Sequence, residues 1–154
     1  MPIARIGVGA NLGDAVQSVR RAVAALERIG TVRARSSLYR TKPWGLADQP
    51  DFVNAAVMLE TQLEPRELLT ALKALEKELG RTPGPRWGPR AIDLDILAYD
   101  DRIVAEPDLV IPHPLLAQRA FALVPLAEID ADYRGLCAAL PEAERAAARR
   151  LEEV

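Results

Sequence analysis

The sequence has almost none of the residues that form disulfides or sulfur- and nitrogen-rich metal clusters. It contains one cysteine, Cys137, and one histidine, His113, among 154 residues. A single cysteine cannot form an intramolecular disulfide, and a reducing compartment fits this composition. Any metal would therefore need mainly carboxylate ligands, and oxygen ligands favour Mg²⁺, Mn²⁺ or Ca²⁺.

Long apolar runs and a strong net charge are also absent. No run approaches the roughly 20 residues that a membrane-spanning helix needs, and the first residues lack the features of a secretory signal. We therefore expect a cytoplasmic protein without a membrane partner. The formal net charge of −2 gives no general attraction to nucleic acid. The length and the 49% hydrophobic content predict a single domain over residues 1–154. Because no surplus apolar face is identifiable, we expect a monomer.

The spacing of the apolar residues predicts four strands and two helices in the order β-α-β-β-α-β. The predicted strands cover residues 3–8, 31–41, 52–60 and 92–99. The helices begin near Asp14, a plausible N-cap, and at Pro65, and they end at Gly30 and Gly80. This order is that of a ferredoxin-like sandwich, an α+β fold in which an antiparallel sheet carries two helices on one face.

A C-terminal extension follows the fourth predicted strand. Its pattern predicts a short hairpin within residues 100–111 and one or two short helices within residues 115–126. Residues 142–153 predict a terminal amphipathic helix.

Two aspartates dominate the chemistry of the fourth strand. Alternate side chains of a strand share a face, so Asp93 and Asp95 should point the same way with Cα atoms about 6.5 to 7 Å apart. Carboxylates at this spacing can bind one pair of cations, although an isolated Asp-x-Asp is more often a solvated strand face. Arg81, Arg86 and Arg90 lie on the proline-rich loop before the strand. Arginines beside metal-binding acids suggest a polyphosphate substrate and phosphoryl transfer.

The same region resembles the signature of the 6-hydroxymethyl-7,8-dihydropterin pyrophosphokinase family. The matching run is Arg86-x-Gly88-Pro89-Arg90-x-x-Asp93-Leu94-Asp95-Ile96-Leu97. Other matching blocks lie in the family's order at residues 9–13, 36–41, 49–56, 111–114 and 119–121. The resemblance covers residues 3 to about 129. It implies an enzyme of folate biosynthesis that transfers pyrophosphate from ATP to the pterin alcohol and releases AMP.

The resemblance also implies roles for individual residues. Asp93 and Asp95 would hold two Mg²⁺ ions on the ATP phosphates. The catalytic residues would be Arg81, Arg86, Arg90, Asp93 and Asp95. The nucleotide would contact Glu76, Trp87, Arg90, Ile96, His113 and Arg119. The pterin would contact Thr41, Pro43, Trp44, Phe52, Asn54 and Phe121. Aromatic faces and a side-chain amide suit a flat heteroaromatic ring. Ala10 departs from the family, which usually has serine there, so a hydroxyl contact is lost.

Several alternatives remain open from the residues alone. His113 lies between two prolines and could be an ordinary turn histidine, and Phe52 and Phe121 could be core residues. A nucleotidyltransferase also binds metals with a strand Asp-x-Asp, but it directs attack at the α-phosphorus. A non-enzymatic RNA-binding or sensor domain can share the ferredoxin-like scaffold. RNA-binding versions expose aromatics on their central strands, whereas Asp93 and Asp95 would repel phosphate without a metal.

Overall fold

The computed structural model describes residues 1–43, 48–80 and 91–151. The described strands are β1 (Ile3–Ala10), β2 (Thr31–Arg35), β3 (Tyr39–Thr41), β4 (Phe52–Glu60), β5 (Asp93–Tyr99), β6 (Val104–Glu106), β7 (Leu109–Ile111) and β8 (Arg149–Arg150). The described helices are α1 (Ala15–Leu26), α2 (Pro65–Glu78), α3 (Ala120–Ile129), α4 (Arg134–Ala138) and α5 (Glu142–Ala147). Leu116–Gln118 and Ala131–Tyr133 form 3₁₀ turns. Within these residues, none of the helices has the length and apolar character that crossing a bilayer requires.

The main sheet has the strand order β5-β1-β4-β3-β8, and β2 also pairs with β4. All of its pairs are antiparallel, with β1 between β4 and β5. The four predicted strands thus lie side by side in the order fourth, first, third, second, which is the ferredoxin-like arrangement. The predicted α+β fold is confirmed. The predicted hairpin is present as β6 and β7, which form a separate two-stranded sheet.

Local signals start the two long helices where the sequence predicts. The Asp14 carboxylate accepts a hydrogen bond from the Gln17 N–H at 3.1 Å, which satisfies a donor of the first turn of α1. In α2, Pro65 occupies the first turn, and the Glu67 carboxylate accepts from the Glu64 N–H at 2.9 Å. Gly80, just after α2, has a φ of +105°, a conformation that favours glycine at a helix end.

The helices α1 and α2 cover one face of the sheet, which we call the closed face. Alternate residues of each strand point into this core, among them Ile6 and Val8 of β1, Val57 and Leu59 of β4, and Leu94 of β5. Their apolar partners come from the helices and include the fully buried Leu26, Leu68 and Leu72. Removing this surface from water is the main force holding the helices to the sheet.

The opposite face, which we call the open face, bears Gly7, Gly9, Asn54, Asp93 and Asp95. Helix α3 covers only part of it. There Leu123 and Leu126 of α3 pack with Ala56 and Leu97 of the sheet in a second, smaller core. The sequence predicted one or two short helices within residues 115–126 without placing them on the sheet. The structure has a 3₁₀ turn at Leu116–Gln118 and the longer α3, which lies on the open face. The remainder of the open face carries the polar residues described below.

The predicted single strand over residues 31–41 is wrong, because residues 36–38 interrupt it. Ser36 pairs with β4 in an unusual way: its N–H donates to the Ala56 carbonyl, and its hydroxyl oxygen accepts from the Ala56 N–H at 2.9 Å. A side chain therefore replaces a backbone acceptor, and the ladder is broken between β2 and β3. Alternating polarity cannot reveal such a replacement, since serine fits either arrangement.

The predicted terminal helix over residues 142–153 is also wrong. Helix α5 ends at Ala147, and the chain then forms β8, in which Arg149 and Arg150 pair with Arg40 and Tyr39. The Leu151 N–H continues this pairing by donating to the Leu38 carbonyl at 2.8 Å. The exposed edge of β3 offers unpaired backbone groups, and pairing with them outweighs the local helix preference.

Candidate active site

One row of residues crosses the open face. Gly9 is paired directly with Asp93 on one side and with Asn54 on the other, and Asn54 is paired in turn with Tyr39. Directly paired residues share a face, so Gly9 leaves a gap between Asp93 and Asn54. A Cβ atom at Gly9 would lie 2.6 Å from the Asn54 Oδ1 atom. This close approach requires glycine, because the Asn54 amide oxygen lies against the Gly9 backbone. We call the part of the open face between the Asp93 carboxylate and the Asn54 amide the Gly9 recess, because β1 contributes no side chain to it.

The two aspartates lie on this face as the strand alternation predicts. Asp95 is paired with Gly7, the other glycine of β1, and both aspartates are half-buried. Leu94 and Ile96 alternate with them and are buried in the core of the closed face. The side chain of Ile96 is therefore not brought to the aspartates, and only its backbone is available on their side.

The donor set is small and consists of oxygen. Within residues 1–43, 48–80 and 91–151, no group of three or more histidine, cysteine, aspartate or glutamate side chains is arranged to hold a metal ion. Asp93 and Asp95 could supply two carboxylates, and water or substrate oxygens would have to fill the other positions. Mg²⁺ is commonly bound in this way, by one or two carboxylates together with substrate phosphates.

Glu76 connects α2 to the aspartate strand. Its side chain is buried, and its Oε2 atom accepts a hydrogen bond from the Leu94 N–H at 2.8 Å. This N–H lies between Asp93 and Asp95 on an edge strand. Glu76 therefore helps to hold the two aspartates in place, and a carboxylate that accepts a backbone hydrogen bond is a stable way to bury a charge.

His113 lies beside β5, to which its N–H donates at the Leu97 carbonyl at 2.9 Å. Burial and the nearby Arg119 charge lower the pKa of His113 to about 4, although Asp93 acts in the opposite direction. The His113 Nδ1 atom is 3.3 Å from the Leu115 nitrogen, and its Nε2 atom is 3.4 Å from the Arg119 Nη1 atom. A neutral imidazole accepts at only one of its two nitrogens, and the tautomer determines which one. His113 and Arg119 thus lie side by side, and the arginine provides a positive charge suited to a phosphate oxygen.

Arg119 is buried at the start of α3, and its guanidinium lies over the Phe121 ring with Cζ 5.4 Å from the ring centroid. A cation over an aromatic face is stabilised by the ring quadrupole, which restricts the arginine to this position. Phe121 is half-buried at the margin of the second core. The start of α3 thus presents a cation and an aromatic ring side by side.

The other predicted pterin residues lie at the junction of β3 and β4. The Asn54 Nδ2 atom donates to the Thr41 hydroxyl at 2.6 Å, and both side chains are buried. Thr41 is paired with Phe52, which is half-buried on the open face. Pro43 follows two residues later and is also half-buried. The hydrogen bond between Asn54 and Thr41 fixes the orientation of the Asn54 amide, whose oxygen adjoins the Gly9 recess.

The sequence profile of the family described as 7,8-dihydro-6-hydroxymethylpterin-pyrophosphokinase (HPPK) matches residues 5–131. The chain belongs to this family. A 2-amino-4-hydroxy-6-hydroxymethyldihydropteridine pyrophosphokinase of Methylorubrum extorquens is 47% identical over 134 residues, which cover 86% of this chain and 85% of that protein. The corresponding protein of Bacillus subtilis is 46% identical over 129 residues, which cover 82% of this chain and 77% of that protein. The family predicted from the sequence is confirmed.

Solved structures share the fold at much lower identity. The structure of Plasmodium falciparum HPPK-DHPS A437G with SDX-DHP matches 89% of this chain with a TM-score of 0.68 and 16% identity. The match covers 42% of that chain, so the present chain spans about two fifths of its length. This likeness supports the fold of the HPPK family and nothing more specific.

Five of the predicted site residues lie outside the described residues: Trp44, Arg81, Arg86, Trp87 and Arg90. Their roles remain predictions. The structure brings Asp93, Asn54 and Thr41 to one part of the open face, with Phe52 paired to Thr41. His113 lies next to β5, and Arg119 and Phe121 lie at the start of α3.

Sequence reasoning assigned no role to Asn11, which lies directly after β1 and contacts the segment before β4. Asn11 is buried, and its Nδ2 atom donates to the Gln49 Oε1 atom at 2.8 Å and to the Pro50 carbonyl at 2.9 Å. It therefore joins the end of β1 to the segment that leads into β4. The available signal was that Asn11 and Gln49 both lie in blocks that matched the family, residues 9–13 and 49–56.

Proposed function

We propose that this chain transfers pyrophosphate from ATP to 6-hydroxymethyl-7,8-dihydropterin, giving AMP and the pterin diphosphate in folate biosynthesis. Family membership over residues 5–131 carries this proposal. The row formed by Asp93, Gly9 and Asn54 supports it, because it places a carboxylate and a fixed amide on the two sides of a recess without a side chain. The substrate hydroxyl group would lose its proton to water, and its oxygen would form a bond with the β-phosphorus. The bond from that phosphorus to the oxygen shared with the α-phosphate would break, and AMP would carry that oxygen away.

Asp93 and Asp95 would hold two Mg²⁺ ions, since the donor set consists of carboxylates on an edge strand beside two glycines. The bound ions would neutralise charge on the phosphates and align them. His113 and Arg119 would donate to phosphate oxygens from their facing nitrogens. Arg81, Arg86 and Arg90 would add positive charge near the transferring group, as their positions before β5 suggest.

The pterin would lie in the recess above Gly9. The Asn54 amide can both donate and accept at the edge of a heteroaromatic ring, and its hydrogen bond to Thr41 already sets its orientation. Phe52 and Phe121 would provide aromatic faces, and Pro43 and Trp44 would complete this side. Such a site binds the ring by its flat shape and by its polar edge together.

The direct test is to incubate the protein with Mg²⁺, ATP and the reduced pterin alcohol, and to separate the nucleotide products. We expect AMP in equal amount to pterin diphosphate, and no turnover when EDTA removes the metal. ADP as the product would contradict attack at the β-phosphorus. Release of free pyrophosphate would instead favour a nucleotidyltransferase that attacks the α-phosphorus. An RNA-binding module would form none of these products.

A further inference from the structure

The segment 36–41 matches the family, but the proposed chemistry uses only Thr41 from it. The structure assigns partners to Ser37 and Tyr39 in this segment. Both oxygens of the Glu128 carboxylate accept from the Ser37 N–H at 3.1 Å, and Oε2 is 3.3 Å from the Ser37 hydroxyl. The Glu128 Oε1 atom also accepts from the Tyr39 hydroxyl at 2.6 Å. One carboxylate near the end of α3 thus holds the start of β3.

Tyr39 remains a hydrogen-bond donor to this carboxylate at every physiological pH. Burial, followed by the hydrogen bond to Glu128, raises the pKa of the Tyr39 hydroxyl well above its usual range. The phenol therefore stays protonated at neutral pH and donates to the Glu128 carboxylate. A charge-assisted hydrogen bond of this kind is shorter and stronger than one between neutral groups.

Glu128 and Phe121 lie on the same side of α3. They are seven residues apart, which is close to two helical turns and corresponds to roughly 10 Å along the axis. Phe121 and Arg119 lie at the start of the helix and Glu128 near its end. Because the helix is short and packs on β4 through Leu123 and Leu126, we expect a displacement of Glu128 to move Phe121 as well.

Tyr39 links Glu128 to Thr41 and Asn54, two residues proposed to bind the pterin. Tyr39 and Thr41 are two residues apart in β3, so their side chains share the open face. Tyr39 is paired with Asn54, and Thr41 accepts from the Asn54 amide. The placement of Tyr39 therefore affects both polar groups that adjoin the Gly9 recess.

We propose that Glu128 is a positioning residue for the pterin: it sets the separation between the aromatic wall on α3 and the Thr41–Asn54 edge on β3 and β4. The inference rests on the proposed function for its substrate, and its structural part can be tested without turnover. Glu128 itself is exposed, and its carboxylate contacts Ser37 and Tyr39. It acts through Tyr39 and Ser37, and it does not touch the reacting atoms.

The same helix offers a matched control. Asp130, two residues after Glu128, also anchors the end of α3 to the sheet, but its Oδ2 atom binds the Arg5 Nε atom of β1 at 2.9 Å. This ion pair is more buried than Glu128, with exposed side-chain fractions of 12% for Arg5 and 7% for Asp130. If Glu128 served only to stabilise the protein, neutralising Asp130 would change the pterin KM at least as much as neutralising Glu128. If Glu128 positions β3, the two variants will differ.

The experiment compares Glu128→Gln and Asp130→Asn in steady-state turnover of ATP and the reduced pterin alcohol. We expect Glu128→Gln to raise the pterin KM about 5- to 20-fold while the ATP KM changes less than twofold. Asp130→Asn should lower the melting temperature and leave both KM values within twofold of the wild type. A pterin KM within twofold in Glu128→Gln would overturn the proposal, and so would equal changes in the two variants.

Tyr39→Phe removes one hydroxyl with little risk to folding and should raise the pterin KM in the same direction. Hydrogen exchange followed by mass spectrometry gives a readout that needs no activity. Peptides covering residues 36–41 should exchange at least tenfold faster in Glu128→Gln than in the wild type. In Asp130→Asn their exchange rate should be unchanged. Unchanged exchange in Glu128→Gln would overturn the proposal. If the wild type forms no AMP while this exchange pattern appears, the proposed function fails and the contact between α3 and β3 stands.

Discussion

The closed and open faces belong to the same strands but are built from different residues. On β1, Ile6 and Val8 point into the closed face, whereas Gly7 and Gly9 lie on the open face. On β5, Leu94 is buried in the core on the side that α2 covers, while Asp93 and Asp95 lie on the other side. The closed face therefore maximises buried apolar area. The open face buries less apolar surface and bears the two glycines and the two carboxylates instead.

The open face is itself divided. Helix α3 covers the part where Ala56 and Leu97 supply apolar surface, and the buried Arg5–Asp130 pair lies near the end of this helix. The uncovered part begins where glycines replace larger residues. Apolar packing and the residues proposed to bind substrate therefore occupy adjacent regions of a single sheet. Mutations on the two faces should thus have separable effects on folding and turnover.

The largest difference between loss of activity and loss of stability is expected for the aspartates of the open face. Asp93→Asn and Asp95→Asn keep the shape of the side chain but remove its charge. We expect kcat/KM to fall about 10³-fold or more, equivalent to about 4 kcal/mol of transition-state stabilisation, with a melting temperature within a few degrees of the wild type. Asp101→Asn, at an exposed turn after β5, is the control and should retain full activity. Retention of activity in both strand variants would refute the assignment of a metal site.

On the closed face the opposite result is expected. Leu59 of β4 is fully buried, and Leu59→Ala should lower the free energy of unfolding by about 2 to 5 kcal/mol through lost burial and a residual cavity. The adjacent Met58 is only half-buried on the open face, so Met58→Ala should cost less than half as much. Chemical denaturation measures both values. Equal losses would remove the distinction between the two faces as regions of different packing.

A smaller effect is expected at Gly9 of the open face. Gly9→Ala places a methyl group between Asp93 and Asn54, within 2.6 Å of the Asn54 Oδ1 atom, and we expect about a tenfold rise in the pterin KM together with a loss of about 1 to 3 kcal/mol in stability. Gly135→Ala is the matched control, since nothing lies within 4 Å of its added Cβ in α4. That change should raise stability slightly, by about 0.5 to 1 kcal/mol, and leave KM unchanged. A normal pterin KM in Gly9→Ala would argue against substrate in this recess.

The smallest effect concerns His113, beside the open face. Its pKa of about 4 lies below the ordinary value of 6.5, so the folded state favours the neutral ring. As the pH falls from 6.5 towards 4, the unfolded chain binds a proton that the folded chain does not, and stability decreases. The loss is modest because the ring is only half-buried and solvent screens its charge. Since His113 is the only histidine, its NMR signal reports the titration directly. A midpoint near 6.5 would contradict this description.

Local patterns were enough to predict several features of the site. The alternation of Asp93 and Asp95 with Leu94 and Ile96 placed both carboxylates on one face, because strand geometry has a period of two. Asp14 and Pro65 marked the starts of the two long helices, because capping depends on neighbouring backbone groups. The family resemblance added Asn54, His113 and Arg119 to the candidate site, and the structure places them at the open face or next to it.

Contacts between distant segments could not be predicted in this way. The Glu76 bond to the Leu94 N–H joins α2 to β5, and the Asn11 bond to Gln49 joins β1 to the segment before β4. The alternation of polarity continues through Ser36, but the Ser36 hydroxyl bonds to the Ala56 N–H and interrupts the strand. Each depends on the three-dimensional distance between two groups, for which neither residue's local sequence contains a signal.

The amino-acid sequence alone was enough to predict the β-α-β-β-α-β order, the side to which Asp93 and Asp95 point and the family to which the chain belongs. Those properties follow from local backbone geometry and from residue identity at matched positions. Only the folded chain placed α3 on the open face and paired β8 with β3, because both arrangements depend on which surfaces and backbone groups remain uncovered once the sheet has formed.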